Sequence, residues 1–214
     1  MNIYILRHGE TDWNKETRIQ GSTDIPLNGY GIHLAEVTAE ALKKQNIIFD
    51  RVYSSPLIRA YRTAEIVCAG SHVQILKDDR LREISFGSAE GVKVSESKTN
   101  PKYKNMDICF TKPSQYHAEE SAESYEQVLA RASDFLENEI KPLEGKYRNV
   151  LAVCHGGIIR ALLMHVAGWK LDTFWDIFQP NCCMNLLKLE SGRFSIQFME
   201  KIYYDGDIAA KGIL

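Results

Sequence analysis

Two histidines lie where a parallel sheet presents its functional side chains. His8 directly follows the apolar run Ile3–Leu6, and a second histidine, His155, directly follows the apolar run Val150–Cys154. Ligands of open parallel sheets bind beyond the carboxyl ends of the strands. Because a neutral imidazole can attack phosphorus, these two positions predict nucleophilic chemistry on an anionic substrate.

Two arginines are expected to join the histidines. Arg7 precedes His8, and Arg59 lies in the first turn of a helix predicted to begin at Ser55-Pro56. Serine can cap free amides, and proline is tolerated at the first helical position. The planar fork of an arginine matches two phosphate oxygens. We also expect these cations to lower the pKa of His8 from its usual value of about 6.5.

Phosphoryl transfer to His8 also requires a proton for the leaving oxygen. A carboxylic acid that its surroundings keep partly neutral can supply this proton. Glu83 is our candidate, although composition alone allows Glu10, Asp12 and Glu90 equally. A structural alternative is that Glu83 pairs with a neighbouring arginine.

Strand-like apolar runs alternate with helical patterns along the chain, which predicts an α/β fold with a mostly parallel sheet. The predicted strands are Ile3–Leu6, Arg51–Tyr53, Val73–Leu76, Val150–Cys154 and a hairpin of residues 182–189 and 193–200 around Ser191-Gly192. The predicted helices begin at Asn28-Gly29, Ser55-Pro56, Ser124 and Ile158, and Pro142 is expected to end the third. We predict one domain over residues 1–214.

Residues 88–121 are predicted to form a lid-like insertion. The segment 81–91 reads as a loop, and residues 92–121 are polar, with prolines at 101 and 113. Long loops in compact domains are usually functional or disordered. We therefore expect this segment to lie over the site and to determine substrate specificity.

The composition is that of an ordinary globular protein. A net charge of −2 gives no general attraction to nucleic acid or to an anionic membrane. The sequence predicts no oligomeric state. No apolar run approaches the roughly 18 residues of a membrane span, and the N-terminus resembles no export signal. The five cysteines show no disulfide or zinc spacing. These features predict a cytoplasmic protein with reduced thiols.

The residues around both histidines resemble the histidine phosphatase superfamily, also called the phosphoglycerate mutase-like family. The resemblance spans nearly the full chain. It rests on four ordered blocks, namely Leu6–Thr11 with Trp13-Asn14 and Arg18–Gly21, Ser54–Ala60 with Thr63-Ala64, Glu83–Gly91, and Val153–Gly157.

This resemblance implies a three-layer α/β/α sandwich and a reaction without metal or cofactor. It implies that His8 is the phosphoacceptor, Glu83 the proton donor, and His155 a catalytic residue that holds the phosphate. It implies further phosphate or substrate contacts from Arg7, Asn14, Gln20, Gly21, Arg59 and Gly156.

The sequence also departs from the pattern of the family. Ala89 occupies a position where many relatives carry tryptophan, and Ser121-Ala122 lacks the glycines common before the Glu-Ser pair. Both departures lie at the predicted lid and therefore concern specificity. In the mutase branch the motif at the acid resembles Glu-His-Tyr-Gly, and an arginine pair lies beyond it. Here Ile84–Gly87 follows Glu83, and a segment that carries lysines replaces the arginine pair. This difference favours hydrolysis over mutation.

Other chemistries fit the sequence less well. The Cys154-x5-Arg160 spacing matches the cysteine phosphatase loop. That loop typically has histidine before the cysteine and Ser or Thr after the arginine, whereas Val153 and Ala161 occupy these positions here. The chain contains no Gly-x-Ser-x-Gly elbow and no HExxH motif. A pocket that binds a phosphorylated ligand without turnover remains an alternative. A structural role is expected for the other histidines, His33, His72, His117 and His165.

We therefore expect a metal-independent phosphomonoesterase that acts on a small phosphorylated metabolite through a phosphohistidine. Phosphoglycerate mutase is the alternative activity.

Overall fold

A six-stranded mixed sheet forms the centre of the fold in the computed structural model, which describes residues 1–205. Its strands are β1 Asn2–Arg7, β2 Arg51–Ser54, β3 Ile75–Lys77, β4 Asn149–Cys154, β5 Met184–Glu190 and β6 Arg193–Lys201. Their order is β3-β2-β4-β1-β5-β6. Strands β1 to β4 are parallel to one another, and β5 is antiparallel to both of its neighbours, β1 and β6. The mostly parallel sheet is confirmed, while residues 206–214 of the predicted domain lie outside the described residues.

Helices cover both faces of the sheet. They are α1 Asp12–Lys15, α2 Gly29–Lys44, α3 Ile58–Val67, α4 Val94–Thr99, α5 Lys104–Thr111, α6 Tyr125–Asp134, which a π-helical turn extends to Ile140, and α7 Gly156–Ala167. Successive residues of a strand point to opposite faces. Ile3 and Ile5 of β1 pack in the core beneath α6 and α7, whereas Tyr4 and Leu6 pack beneath α2 and α3. The three-layer α/β/α arrangement is thus confirmed.

Local sequence signals fix several element ends as predicted. The Asn28 side chain accepts from the Gly31 N–H at 2.8 Å, and Ser124 forms a capping box with Gln127 at the start of α6. Ser191 and Gly192 both have positive φ, at 53° and 73°, which suits a two-residue hairpin turn. These two helix starts and the hairpin turn are confirmed, whereas β5 begins at Met184 rather than at residue 182, and α7 begins at Gly156 rather than at Ile158.

The predicted start of α3 is wrong. The helix begins at Ile58, three residues after Ser55, and the N-cap residue Leu57 supplies no side-chain hydrogen bond. Asp24 caps it from a distant loop, because its Oδ1 accepts from the Ile58 N–H at 2.7 Å. The Ser55 hydroxyl lies instead beside His155. Arg59 nevertheless remains in the first turn.

The limits of β3 also differ from the prediction. The strand covers Ile75–Lys77 rather than Val73–Leu76, because Val52 pairs with Ile75 and Ser54 with Lys77. Register with β2 therefore decides these limits.

Residues 81–121 are more regular than predicted. The segment contains α4, α5 and short 3-10 turns at Gly87–Ala89, Pro101–Tyr103 and Pro113–Gln115. Both prolines lie in the first turn of a 3-10 segment, where a missing N–H has no cost. Met106 and Cys109 of α5 are buried against the main core. The insertion thus packs as short helices on the body of the protein.

Candidate active site

The ends of β1 and β4 bring the two predicted catalytic histidines together. Arg7 pairs with Cys154 in the parallel register, so the chain leaves both strands at the same edge of the sheet. The next residues are His8 and His155, whose ring centroids lie 5.0 Å apart. Both side chains are buried. The site is therefore built on the two adjacent central strands.

His8 is held in one tautomer. Its Nδ1 lies 2.6 Å from the carbonyl oxygen of Gly9, and a carbonyl oxygen can only accept a hydrogen bond. Nδ1 must therefore carry the proton, which places the lone pair of the neutral ring on Nε2. The backbone is fixed as well, because the His8 N–H donates to Cys154 O at 3.0 Å and the His8 carbonyl accepts from Asn181 Nδ2 at 3.1 Å. Nε2 is thus the atom available for attack.

Burial and neighbouring cations keep both histidines neutral. Burial lowers the pKa of His8 well below its usual value, and the charges of Arg59 and Arg7 lower it further. The pKa of His155 is lowered in the same direction, first by burial and then by Arg59. A ring nitrogen with a free lone pair is therefore present at neutral pH.

His155 connects Arg59 to Ser55. Arg59 donates its Nε–H to His155 Nδ1 at 3.1 Å, so Nδ1 is an acceptor. The proton of the neutral ring then lies on Nε2, which donates to Ser55 Oγ at 2.8 Å. Because both ring nitrogens are engaged, His155 fixes the direction of the Arg59 guanidinium.

The segment 20–23 holds the other side of that guanidinium. Arg59 Nη1 donates to Thr23 O at 2.8 Å, and Nη2 donates to Gly21 O at 2.7 Å. Together with the bond to His155, these contacts use three of the five guanidinium N–H groups and leave two for an anion. Burial lowers the pKa of Arg59 to about 10, so the group remains charged at neutral pH.

Glu90 in turn holds the segment 20–23. Its Oε1 accepts from the Ser22 N–H at 2.9 Å, and its Oε2 accepts from the Thr23 N–H at 2.9 Å and from the Thr23 hydroxyl. Gly21 has a φ of 57°, and a Cβ at this position would collide with Glu90 Oε1. Glycine is therefore required here, and the Glu90 carboxylate is committed to the loop that positions Arg59.

Arg7 contributes a second guanidinium at the end of β1. Its side chain is only 1% exposed, and Nη1 donates to Gln179 O. Burial lowers its pKa, and the negative charge of Glu83 opposes that shift. Two positively charged groups held by main-chain carbonyls thus lie beside the His8 imidazole, an arrangement suited to an anion.

Glu83 lies at the N-terminus of α7. Its Oε2 accepts from the Gly157 N–H at 3.1 Å, while its Oε1 accepts from Ile158 N–H at 3.2 Å and Ile84 N–H at 2.9 Å. The unpaired amides of a helix N-terminus attract a carboxylate. A Cβ on Gly157 would lie only 2.5 Å from Glu83 Oε1, so glycine allows this close approach. The carboxyl group is therefore fixed in direction.

A cleft with about 350 Å³ of empty volume, part of it open to solvent, joins these groups. It is lined by Arg7, His8, Gln20, Gly21, Arg59, Glu83, Phe86, Gly157, Arg160 and Trp175. The first six are residues that the sequence singled out. The structure therefore brings most of the predicted site together.

Three predicted residues lie around the cleft rather than on its wall. His155 lies behind Arg59, and a Cβ on Gly156 would lie 3.7 Å from the Arg7 guanidinium carbon. Asn14 does not line the cleft: its Oδ1 accepts from the Thr11 N–H at 3.2 Å in the capping box of α1 and from Asn181 Nδ2, which also donates to His8 O. Asn14 thus supports the turn after β1.

Four lining residues were not predicted, namely Phe86, Gly157, Arg160 and Trp175. Gly157 had a signal, because it adjoins Gly156 in the His-Gly-Gly run. Arg160 entered the sequence argument only through the cysteine phosphatase spacing. Trp175 lies in the 3-10 segment Leu171–Asp176, and no local pattern connects that segment with the strand ends.

The structure argues against a cysteine nucleophile. Cys154 is completely buried in β4 and does not line the cleft. Burial, followed by the charge of Glu83, raises the pKa of its thiol far above the usual value. A thiol of this kind is not a thiolate at neutral pH and is a poor nucleophile.

The site is composed of arginine, histidine, glutamate and backbone groups. Within residues 1–205, no group of three or more His, Cys, Asp or Glu side chains is arranged to hold a metal ion. Over the same range, the helices are too short or too polar to cross a membrane.

Known proteins share this fold and sequence pattern. The sequence matches the histidine phosphatase superfamily (branch 1) over residues 3–201. It is 36% identical over 171 residues to the uncharacterized phosphatase PhoE of Bacillus subtilis, covering 78% of this chain and 77% of that protein. It is 30% identical over 166 residues to the 2,3-bisphosphoglycerate-dependent phosphoglycerate mutase of Cytophaga hutchinsonii, covering 77% and 76%.

A solved structure agrees with the sequence matches. Bacillus stearothermophilus YhfR has a TM-score of 0.82 and 31% sequence identity, over 92% of this chain and 95% of that one. On these grounds, the chain belongs to the histidine phosphatase superfamily.

Proposed function

We propose that the protein is a phosphomonoesterase that hydrolyses a small phosphorylated metabolite through a phosphohistidine at His8. One observation carries this proposal: the hydrogen bond from Nδ1 to Gly9 O leaves the lone pair on Nε2, beside the cations Arg7 and Arg59. An activated nucleophile and charge neutralisation for phosphate are thus combined in one small cleft.

In the first step, Nε2 of His8 attacks phosphorus and forms a P–N bond while the P–O ester bond breaks. The leaving oxygen takes a proton from Glu83, which must hold that proton when the substrate is bound. The guanidinium groups of Arg7 and Arg59 neutralise the negative charge on the transferred group. His155 acts by keeping Arg59 in position.

In the second step, water attacks the phosphohistidine. Glu83, now a carboxylate, accepts a proton from the water, and the P–N bond breaks with its electron pair returning to Nε2 of His8. Inorganic phosphate then leaves, and Glu83 is again protonated. No step requires a metal, so excess chelator should leave the rate unchanged; a large loss that added metal restores would contradict this mechanism.

Turnover of p-nitrophenyl phosphate by variants of two histidines tests the proposal. We expect His8→Ala to abolish turnover and His33→Ala, an exposed site on α2, to retain it. Cys154→Ser should retain most activity for the folded fraction. Full activity in His8→Ala, or its loss in Cys154→Ser alone, would indicate a different nucleophile.

Phosphoglycerate mutase is the second candidate activity, because a mutase relative is 30% identical to this chain over most of its length. A mutase must shield its phosphohistidine from water until the phosphoryl group returns to the substrate. Interconversion of 2- and 3-phosphoglycerate, with and without a bisphosphate primer, distinguishes the two. We expect release of inorganic phosphate to exceed interconversion.

The insertion at residues 88–121 is part of the proposal as a specificity element over the cleft. Phe110 of α5 lies 5.9 Å from Phe86 and 5.0 Å from Trp175 between ring centroids, and both of these partners line the cleft. The insertion can therefore influence which leaving group fits.

A further inference from the structure

The lining of the cleft divides into two parts. The phosphate wall consists of Arg7, His8, Gln20, Gly21 and Arg59, and the leaving-group wall consists of Glu83, Phe86, Gly157, Arg160 and Trp175. The first wall holds the groups that attack phosphorus and neutralise its charge. The second holds the proposed proton donor for the leaving oxygen. Residues of the second wall are therefore placed to contact the remainder of the substrate.

Arg160 is the one strongly cationic side chain of the leaving-group wall. It lies on α7 and is 1% exposed. Its Nε–H donates to Ile177 O at 2.9 Å, and its guanidinium carbon lies 4.7 Å from the centroid of the Trp175 ring. Stacking on the indole and the bond to the main chain fix the orientation of the guanidinium. The group is thus rigid before any ligand binds.

Arg160 is not bonded to a carboxylate within the described residues, and the charge of the nearby Glu83 only partly opposes the lowering of its pKa. Within residues 1–205, Nη1 is buried without a hydrogen-bond partner, and no carboxylate forms an ion pair with the guanidinium. Burial and the nearby Arg7 lower the pKa of Arg160 to about 10, so it remains charged at neutral pH. Buried donors in native proteins are normally paired, so this atom marks a place for an acceptor from a ligand.

The position of Nη1 connects the two walls. A Cβ built on Gly156 would lie 2.9 Å from Arg160 Nη1 and 3.7 Å from the Arg7 guanidinium carbon. The two guanidinium groups therefore flank the same point of the backbone at the start of α7. The next amides of that helix hold Glu83. An anion on Arg160 would thus lie close to both the phosphate and the leaving oxygen.

The charge of the cleft indicates which anion fits. When Glu83 carries its proton, the lining holds three positive charges, on Arg7, Arg59 and Arg160, and both histidines are neutral. A phosphate monoester dianion balances two of these charges. One carboxylate balances the third, whereas a second phosphate dianion would exceed it. A planar carboxylate also matches the fork of the guanidinium.

We infer that Arg160, stacked on Trp175, binds a carboxylate of the substrate, and that the substrate is a small phosphorylated acid with this carboxylate near the ester oxygen. The inference rests on the proposed phosphomonoesterase activity. It makes Arg160 a specificity-determining residue, because a substrate without the carboxylate leaves a buried cation unpaired.

Matched pairs of esters test this inference. O-Phosphoserine differs from O-phosphoethanolamine, and 3-phosphoglycerate from glycerol 3-phosphate, at the carboxylate. We expect the wild-type protein to prefer the carboxylated member of each pair by about 10- to 100-fold in kcat/KM. Arg160→Met should reduce this preference to about threefold or less, and Arg160→Lys should retain part of it. The control Arg62→Met, at a half-exposed arginine of α3, should keep the wild-type preference.

Equal kcat/KM within the pairs, a preference that survives in Arg160→Met, or a larger preference for a bisphosphate would overturn the inference. A second measurement does not depend on turnover or on a folded variant. 3-Phosphonopropanoate should bind the wild-type protein at least about tenfold more tightly than propylphosphonate, as measured by calorimetry. If no ester is hydrolysed, the proposed function fails, while equal affinity for the two phosphonates would still overturn the role of Arg160.

Discussion

Different kinds of contact hold the side chains of the two walls of the cleft. On the phosphate wall, the Gly9 carbonyl holds His8, while His155 and two carbonyls of a loop fixed by Glu90 hold Arg59. On the leaving-group wall, Arg160 stacks on the Trp175 ring, and its Nη1 has no partner within the described residues. The side chains of the first wall are thus held by the protein itself, whereas we propose that a ligand completes the second.

This difference assigns chemistry and specificity to separate parts of the fold. In the proposed mechanism, the groups that move the phosphoryl group come from the ends of β1 and β4 and from the first turn of α3. The groups proposed to contact the leaving part come from α7, the segment after Glu83 and the distant Trp175. Changes in the first wall should therefore reduce the rate with every ester, whereas changes in the second should alter the ranking of esters.

The largest effect is expected for Arg59→Met. The variant loses two donors to the phosphate and the contact that orients His155. We expect kcat/KM to fall roughly 10³-fold for phosphate esters with and without a carboxylate alike. Steady-state kinetics on both classes measure this, with Arg62→Met as the control on the same helix. A loss restricted to one class of ester would show that Arg59 contacts the leaving group rather than the phosphate.

Glu83→Gln is expected to separate good from poor leaving groups. An alkoxide needs a proton as it leaves, whereas a nitrophenolate does not. We therefore expect kcat to fall about 10²-fold with an alkyl phosphate and less than about tenfold with p-nitrophenyl phosphate. An equal loss for both would show that the carboxylate acts only as a helix cap for α7.

A smaller effect is expected for Glu90→Gln, which tests the support of the phosphate wall. The amide NH₂ of glutamine would face backbone donors that now bond to a carboxylate oxygen, at a cost of about 1–3 kcal/mol in the free energy of unfolding. Because the loop positions Arg59, we expect kcat/KM to fall about tenfold for all esters alike. Glu120→Gln, at an exposed site of the insertion, is the control, and denaturant unfolding gives the stability. Unchanged rates would show that the loop holds Arg59 without Glu90.

The smallest expected effect is the absence of a titration. The pKa of His8 in the folded protein is lowered well below about 6.5, so its NMR signal should not shift between about pH 7.5 and 6. In the urea-unfolded chain the same imidazole takes up a proton in that range. Since only the unfolded state binds this proton, the free energy of unfolding should decrease as the pH falls below about 6.5. A His8 signal that titrates near 6.5 in the folded protein would contradict the neutral nucleophile.

The two walls also differ in how far the sequence predicted them. Arg7, His8 and Arg59 of the phosphate wall lie at the end of a strand or in the first turn of a helix, and local patterns predict such positions because they depend on short-range geometry, whereas Gln20 and Gly21 were expected only from the family resemblance. Arg160 and Trp175 come together only through packing between α7 and the Leu171–Asp176 segment, which no local pattern reports. The insertion has a polar sequence, and its helices become evident only from the structure, in which residues such as Met106 and Cys109 are buried against the main core.

Other differences have the same origin in long-range contacts. Ser55-Pro56 carried a good helix-start signal, but Asp24 caps α3 three residues later and the serine hydroxyl bonds to His155. Asn14 was expected at the pocket, and its Oδ1 accepts from Asn181 Nδ2, which also holds the His8 carbonyl, so that Asn14 supports the turn after β1. In both cases a partner distant in sequence determined which contact formed.

Trapping the covalent intermediate tests the central claim most directly. The protein would be mixed with ³²P-labelled substrate, quenched in alkali, which preserves a P–N bond, and digested for peptide mapping. The account predicts label on Nε2 of His8 that appears before inorganic phosphate and disappears on a chase with unlabelled substrate. Label on Cys154, or hydrolysis that proceeds without labelled protein, would contradict it.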